Sequence, residues 1–198
     1  MNLEPVGTVL LAAGRGTRFG ASPKLLSLLD GKPLVRHAAE AAVAADLGPV
    51  VAVLGHAGGE VRAALAGLPL TLVDNPDYAK GLSTSLQAGL GALPDDVTAA
   101  FVLLGDMPRV GPLLLVRLAE AFRAAPVAPS AVVPVRDGQR GNPVLLNRRL
   151  LSLNLAALTG DRGAGPLLAR RDDVLDLPVA EAGVLIDVDT PAALADLS

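Results

Sequence analysis

Short apolar runs alternate with amphipathic stretches along most of the chain. Apolar residues spaced three and four apart predict helices, and short unbroken apolar runs predict buried strands. The predicted helices are Leu34–Ala45, Glu60–Ala66, Ser83–Leu93 and Leu113–Ala124. The predicted strands are Val6–Ala13, Val50–Leu54, Leu70–Val73, Ala100–Leu104, Ala131–Val135, Pro143–Leu146 and Val184–Val188. This alternation predicts a mostly parallel sheet flanked by helices, with ligands bound at the carboxyl ends of the strands.

The composition points to one domain, residues 1–198. A chain of 198 residues is long enough for one substantial core, and 51% hydrophobic with 19% charged residues suits an α/β protein whose sheet is covered on both faces. The longest apolar runs have the length of strands, so we expect no membrane-spanning segment. The first residues lack a basic-then-apolar signal pattern, and the absence of cysteine excludes disulfides and thiolate chemistry. We therefore expect a cytoplasmic protein.

Charge and aromatic content bear on the class of ligand. The net charge is −3, from 17 basic and 20 acidic residues, and the basic residues are scattered along the chain. Aromatic residues make up only 2%, which removes the stacking platforms that single-stranded nucleic acids require. We therefore expect no nucleic-acid partner and instead small anions bound at a local site.

A phosphate site is predicted in residues 11–24, which read LAAGRGTRFGASPK after the first strand. Backbone N–H groups at Gly14, Gly16 and Gly20 can approach phosphate oxygens closely, and Arg18 and Lys24 can neutralise their charge. The plain alternative is a strand-ending loop with solvated cations. Two cations so close to three glycines at a strand end favour a triphosphate site.

Two better-known phosphate motifs do not fit this loop. A Walker motif needs lysine directly after its last glycine, whereas Lys24 stands four residues beyond Gly20. A dinucleotide fingerprint needs two residues in its last gap, whereas three separate Gly16 from Gly20. The second predicted strand also ends in Gly55-His56, where that fingerprint expects an acidic residue. Nicotinamide and flavin cofactors are therefore disfavoured.

Aspartates follow two of the predicted strands. Asp106 stands at the tip of the fourth strand, where its carboxylate can hold Mg²⁺ beside phosphates or can cap the loop before the next helix. Asp187 and Asp189 share one side of the last predicted strand, so either can supply a second metal ligand. Alternatively, Asp189 or Thr190 caps the short helix that begins at Pro191.

The segment Gly81-Leu82-Ser83-Thr84-Ser85 joins a flexible glycine to hydroxyls at the start of the third helix. Free N–H groups and the helix dipole favour an anion or a polar nucleotide edge at such a position. The alternative is a well-capped helix without a ligand, in which Ser83 is the N-cap residue.

These strings together resemble the nucleotidyltransferases with a glycosyltransferase-A-like fold. Among them the chain is most similar to the MobA-like NTP transferases, and within those to the molybdenum cofactor cytidylyltransferases. The resemblance covers nearly the whole chain and implies a three-layer α/β/α, Rossmann-like fold with a mostly parallel central sheet. It also implies that Arg18 and Lys24 are the cations of the phosphate loop. The implied nucleotide-binding residues are Leu11, Ala12, Ala13, Gly14, Arg15, Gly16, Lys24, Gly81, Leu82, Ser83 and Ser85.

The same resemblance implies further roles. The pair Ala12-Ala13 marks the cytidine-using members, and Asp106 is expected to bind Mg²⁺ together with Asp187 or, beside it, Asp189. Acceptor contacts are expected from two residues in looser strings, Asn142 and Asp161. Relatives often carry histidine at the place of Asn142 and arginine at the place of Gly165, so the acceptor is less well defined than the nucleotide.

The implied reaction is transfer of CMP from CTP to the phosphate of a molybdopterin-type cofactor, with release of pyrophosphate. Lys24, Arg18 and Asp106 are the expected catalytic residues, and a recipient molybdoenzyme is then a candidate partner. Two alternatives stay open. One is a nucleotidyltransferase for a sugar phosphate or another small phosphorylated acceptor, and the other is a non-catalytic nucleotide-binding chaperone or regulator.

Overall fold

A computed structural model describes residues 5–16, 19, 23–161 and 163–197. Its helices are α1 (Leu34–Ala44), α2 (Gly58–Ala64), α3 (Leu82–Gly91), α4 (Pro112–Ala124), α5 (Arg148–Ala156), α6 (Gly165–Leu168) and α7 (Pro191–Ala195). Its strands are β1 (Val6–Ala12), β2 (Leu28–Leu29), β3 (Lys32–Pro33), β4 (Val50–Leu54), β5 (Thr71–Asp74), β6 (Ala99–Leu104), β7 (Ala131–Arg136), β8 (Gln139–Arg140), β9 (Val144–Asn147) and β10 (Val174–Pro178).

The main sheet is mostly parallel. Across the described residues its strands are ordered β10-β7-β9-β6-β1-β4-β5, β8 pairs with β7, and β2 and β3 form a separate hairpin. Strand β1 pairs in parallel with β4 and β6, β4 with β5, and β7 with β10. Strand β9 runs antiparallel to β6 and β7. The mostly parallel sheet predicted from the sequence is confirmed.

Helices cover both faces of this sheet. Every residue of β1 is buried. Leu10 packs in the core cluster that contains the apolar residues of α1 and α4, whereas Val9 packs in the cluster that contains those of α3 and α5. Because neighbouring side chains on a strand point to opposite faces, an apolar run without polar interruptions is what a strand between two helical layers requires. The predicted three-layer α/β/α arrangement is confirmed.

Helix α3 lies unusually close to the sheet. A Cβ at Gly89 would stand 2.3 Å from the Val9 Cγ1 atom and 2.9 Å from the Val53 Cγ2 atom, so a larger residue there would push the helix outward. This close approach fixes the first turn of α3 beside the carboxyl ends of β1 and β4.

The strand predicted over Val184–Val188 is wrong. Ala182–Leu185 form a 3₁₀ helix, and the segment continues without a strand partner among the described residues. Its backbone instead makes single hydrogen bonds to different loops, with Val184 O accepting from Asn142 N at 2.9 Å and Val188 N donating to Asp106 O at 2.9 Å. The edge of the sheet is formed by β10, which the sequence pattern did not predict.

The other predicted elements are present, the strand Val50–Leu54 with the predicted ends and most of the others with shifted ends. The strands predicted to begin at Leu70 and Pro143 are β5 and β9, and each begins one residue later, at Thr71 and Val144. The helix predicted over Glu60–Ala66 is α2, which spans Gly58–Ala64. Helices α5 and α6 were not predicted. In the part of the chain that the structure describes, no helix has both the length and the apolarity needed to cross a membrane.

Candidate nucleotide site

A cavity of about 580 Å³ opens at the carboxyl ends of β1 and β6. It is lined by Leu11, Ala13, Gly14, Arg15, Gly16, Lys24, Leu25, Tyr78, Ala79, Gly81, Leu82, Ser85, Leu104, Asp106 and Asp161. The glycine loop, the start of α3 and Asp106 after β6 thus meet at one place. Ligand sites in parallel sheets lie at the same kind of edge, where the strands end. Arg18 and Gly20, also predicted for this loop, lie outside the described residues.

Lys24 lies between two carboxylates at the base of this cavity. Its Nζ atom is 2.5 Å from Asp106 Oδ2 and 2.9 Å from Asp189 Oδ1. The side chains are 12% exposed for Lys24, 17% for Asp106 and 30% for Asp189. Burial alone would lower the pKa of Lys24, but attraction to Asp106 and hydrogen bonds to both carboxylates outweigh it, so the pKa is raised. The ammonium group is therefore charged at neutral pH.

The backbone of the glycine loop sets the position of Lys24. Gly16 has φ +57°, and a Cβ there would stand 2.8 Å from Lys24 Cβ. This left-handed conformation and the close contact both favour glycine. Lys24 itself begins a short 3₁₀ helix that ends at Leu26. Gly16 and Lys24 therefore lie against each other, and the lysine faces Asp106 at the end of β6.

Asp106 is held by backbone contacts from two sides. Gly105 N donates to Leu11 O at 3.0 Å, which ties the end of β6 to the end of β1. Asp106 O accepts from Val188 N at 2.9 Å, which brings the C-terminal segment and Asp189 beside it. Asp106 Oδ1 is buried without a hydrogen-bond partner among the described residues.

This donor set fits a hard divalent cation. Asp106 presents a buried carboxylate oxygen without a partner, and Asp189 presents a second carboxylate beside the same lysine. Mg²⁺ and Mn²⁺ are commonly held by one or two carboxylates, with phosphate oxygens and water completing the coordination shell. Consistent with such a two-carboxylate site, the described residues contain no group of three or more His, Asp or Glu side chains placed to hold a metal.

The structure separates the two C-terminal aspartates. Since residues 186–189 are not a strand, the period-two argument that placed Asp187 and Asp189 on one side does not apply. Asp187 is exposed, and Asp189 is the one that contacts Lys24. Thr190 caps α7, since its Oγ1 accepts a hydrogen bond from Ala193 N at 3.2 Å.

The start of α3 differs from the expected cap. The N-cap residue is Gly81, so the prediction that Ser83 caps this helix is wrong. Ser83 is buried, and its backbone N–H donates to Gly160 O at 3.0 Å. The hydrogen bond of this N–H group is therefore made within the protein, to the turn at Gly160. Gly81 has φ +120°, and a Cβ there would stand 2.2 Å from the carbonyl carbon of Gly160. Only glycine fits beneath this turn.

The turn at Gly160 also brings Asp161 to the cavity. On α3, Gln87 Nε2 lies within 3.2 Å of the backbone oxygens of Leu155, Ala156 and Leu158, which anchors the end of α5 just before the turn. Asp161 then lines the cavity beside Gly81. Of the two residues predicted to contact the acceptor, the structure therefore brings Asp161 to the cavity wall, whereas Asn142 is not among the lining residues.

Among the remaining predicted nucleotide ligands, Ala12 and Ser85 differ in environment. Ala12 is fully buried and packs in the core cluster that contains residues of α1 and α4. Ser85 lines the cavity, and its hydroxyl accepts a hydrogen bond from Asn75 Nδ2 at 3.0 Å. Asn75, buried after β5, also donates to Thr84 Oγ1 at 3.0 Å. Sequence reasoning did not single out Asn75, although Asn-Pro after an apolar run is a recognisable turn signal.

Tyr78 is a second lining residue that sequence reasoning missed. The Arg15 guanidinium lies 5.6 Å from the centre of its ring, within the range of a cation–π contact, and the His56 ring lies 6.4 Å away at a tilt of 48°. It is the single tyrosine in a chain with few aromatic residues, and that rarity was the available signal. Tyr78 gives the cavity an aromatic wall beside Arg15 of the glycine loop.

Comparison with known proteins identifies the family. The model of the MobA-like NTP transferase domain matches residues 8–174. The chain belongs to this family. The matched region contains the glycine loop, Asp106 and Asp161, whereas Asp189 lies beyond its end. The resemblance noted in the sequence is confirmed at the level of the nucleotidyltransferase family.

Curated relatives carry two different names. The bifunctional protein GlmU of Kineococcus radiotolerans is 42% identical over 123 residues, which are 61% of this chain and 25% of that protein. The chain thus spans about a quarter of the length of this relative. Nicotine blue oxidoreductase of Paenarthrobacter nicotinovorans is 32% identical over 194 residues, which are 96% of this chain and 94% of that protein.

A solved structure shares the whole fold. Rv0371c from Mycobacterium tuberculosis H37Rv superposes with a TM-score of 0.86 at 28% identity, covering 99% of this chain and 98% of that one. A second structure of that protein, in complex with manganese, gives a TM-score of 0.79 and covers 98% and 97% of the two chains.

Proposed function

We propose that this protein is a Mg²⁺-dependent cytidylyltransferase, which transfers CMP from CTP to the phosphate of a molybdopterin-type cofactor and releases pyrophosphate. The observation that supports it most directly is the meeting of the glycine loop, Lys24 and Asp106 in one cavity, with Asp189 in contact with Lys24. A loop rich in backbone N–H groups and a lysine suit a triphosphate, and the carboxylates suit its metal ion.

The proposed chemistry needs positioning and charge neutralisation rather than a general base. An oxygen of the acceptor phosphate attacks the α-phosphorus in line, and pyrophosphate leaves. That oxygen is already ionised at neutral pH. Lys24 offsets charge on the α-phosphate, while N–H groups at Gly14 and Gly16 hold the departing phosphates, together with Arg18. Asp106 and Asp189 would hold Mg²⁺, which would supply Lewis-acid stabilisation of the phosphate oxygens.

Two features support the finer assignments. The pair Ala12-Ala13 is the sequence that the resemblance associates with cytidine, and Ala13 lines the cavity. The backbone of Gly55 lies close to Ala13, since a Cβ on Gly55 would stand 2.8 Å from the Ala13 Cβ. Contact with Lys24 favours Asp189 over Asp187 as the second metal ligand. Asp161, which lines the same cavity, is the proposed acceptor contact. A molybdoenzyme is the proposed recipient of the product.

The test is a pyrophosphate-release assay with purified protein, Mg²⁺ and each of the four NTPs. Molybdopterin, a hexose 1-phosphate and buffer alone serve as the three acceptor arms. We expect release with CTP and molybdopterin only, and none after EDTA. Release with the hexose phosphate would instead assign a sugar nucleotidyltransferase. CTP binding without release in any arm would assign a non-catalytic nucleotide-binding protein.

The full-length match to nicotine blue oxidoreductase favours a second candidate, a redox activity on a related dye. Turnover of nicotine blue, followed by absorbance with a reduced nicotinamide donor, tests it directly. Nucleotidyl transfer as proposed above depends on the ion pair of Lys24 and Asp106. A dye turnover that survives Lys24→Met would therefore separate this candidate from nucleotidyl transfer.

A further inference from the structure

We propose that Lys24 occupies the metal position of the nucleotide-free protein and keeps divalent cations away until phosphates draw it off. The inference rests on the proposed function in one respect, since it concerns the same carboxylate pair. It adds that metal and nucleotide bind as coupled ligands, with the lysine as the element that moves between them.

The contacts of Lys24 are those that a metal ion would need. Its Nζ atom is 2.5 Å from Asp106 Oδ2 and 2.9 Å from Asp189 Oδ1, so one ammonium group bridges both carboxylates. A divalent ion on the same two oxygens would lie about 2 Å from each. Two cations cannot share those oxygens at such distances without strong repulsion. The lysine and the ion therefore compete.

The Asp106 carboxylate retains unused binding capacity while Lys24 is in place. Asp106 Oδ1 is buried and has no hydrogen-bond partner among the described residues. A buried carboxylate oxygen without a partner is unfavourable, because it has lost water and gained nothing in return. The lysine thus compensates only part of the charge, and a better ligand can replace it.

The glycine loop offers Lys24 a second partner within reach. The lysine Cβ lies against Gly16, whose neighbours are the loop residues proposed to hold the triphosphate. Rotation of its flexible side chain moves the ammonium group from the carboxylates toward those phosphates. The two carboxylates are then released from the ammonium group and can accept the divalent ion. Thermodynamic linkage requires that each ligand raise the affinity for the other by the same factor.

The test measures Mn²⁺ binding to full-length protein without nucleotide, by electron paramagnetic resonance of the free ion. We expect Lys24→Met to bind Mn²⁺ about tenfold tighter than the unmodified protein, because the competing cation is gone. Lys32→Met is the control: Lys32 lies on the separate hairpin and pairs with Glu40 of α1. This variant should bind Mn²⁺ as the unmodified protein does. Equal Mn²⁺ affinity of Lys24→Met and the unmodified protein would overturn the proposal.

Two further arms locate the effect. Adding Asp106→Asn to Lys24→Met should abolish the gain, and retention of the gain would place the ion elsewhere and refute the proposal. With saturating CTP, after correction for the Mn–CTP complex, the affinities of Lys24→Met and the unmodified protein should converge to within about threefold. An unchanged difference between them would show that nucleotide does not move the lysine.

Controls separate this proposal from folding and from turnover. Lys24→Gln keeps a hydrogen-bond donor between the carboxylates and should show the same gain if Lys24→Met is poorly folded, as judged by circular dichroism. The nucleotide-free arms involve no catalysis. A gain in Mn²⁺ affinity without pyrophosphate release in the assay above would refute the proposed function and leave the role of Lys24 intact.

Discussion

The two halves of the sheet deliver their residues to the cavity in different ways. In the half formed by β6, β1, β4 and β5, the glycine loop and Asp106 follow directly from strand ends. In the half formed by β7, β8, β9 and β10, the strands contribute no cavity residue, and Asp161 and Asp189 arrive from irregular segments. Strands β1 and β4 are buried throughout, whereas β10 is half-exposed along its length.

This difference shows two means of fixing a functional group. A strand buried between helical layers has its direction and end point set by a continuous hydrogen-bond ladder. An irregular segment is set by a few individual contacts, such as Val188 N to Asp106 O and Ser83 N to Gly160 O. We therefore expect chemistry to depend most on the first half, and the integrity of the cavity to depend on single contacts in the second.

The largest expected effect comes from the strand-end carboxylate. Asp106→Asn should lower kcat for pyrophosphate release by about 10²–10³-fold, because it removes charge where the transition state needs metal stabilisation. The melting temperature should stay close to that of the unmodified protein, since asparagine keeps the shape of the side chain and Asp189 still pairs with Lys24. Asp95→Asn, an exposed carboxylate before the start of β6, is the matched control. Full activity of Asp106→Asn with Mg²⁺ would sink the proposed mechanism.

The C-terminal aspartates test whether a residue held by single contacts is equally important. Asp189→Asn should lower kcat by about 10- to 100-fold, because Asp189 contacts Lys24 and shares its proposed ion with Asp106. Asp187→Asn should change kcat less than about threefold, because that side chain is exposed. The reverse ranking in a steady-state assay would reassign the second ligand to Asp187.

A pair of glycines on α3 tests the contact that joins the two halves. Gly81→Ala should destabilise the protein by about 1–3 kcal/mol, because it combines a positive φ with a collision against the Gly160 backbone. Gly91→Ala, at the other end of the helix, meets no atom within 4 Å and should be neutral or stabilising by up to about 1 kcal/mol. Urea unfolding measures both. Equal stability of the two variants would mean that the turn yields at little cost.

The same division explains what could be predicted from the sequence. Strands such as Val50–Leu54 were predicted with correct ends, because a run buried on both faces leaves an unbroken apolar signal. Asp106 followed from its place after such a strand. The segment Val184–Val188 is also mostly apolar, yet it lies between loops, at places where a Cβ on Gly141 or Gly183 would collide with backbone. The sequence left Asp187 and Asp189 as alternatives, and only the folded contacts show that Asp189 is the one beside Lys24.

The smallest expected effect concerns the edge of the second half, where Asp173 precedes β10. Hydrogen bonds from Arg171 and then from the Ser130 hydroxyl lower the pKa of Asp173 to about 2. Ser130 N also donates to Asp173 O at 2.9 Å, which holds β10 in line with β7. Because the folded pKa lies below the unfolded value of about 3.9, the ionised group stabilises the fold above that value. The stabilisation is lost as pH falls toward 2.

Thermal unfolding at several pH values tests this anchor. Asp173→Asn should melt slightly below the unmodified protein at pH 7, and the difference should shrink between about pH 4 and pH 2, as the carboxylate becomes protonated in both states. The effect is small because the pair is solvent-exposed. Asp172→Asn, one residue earlier and exposed, is the control. A difference that persists unchanged to pH 2 would mean that the Asp173 side chain supports this edge through contacts that do not need its charge.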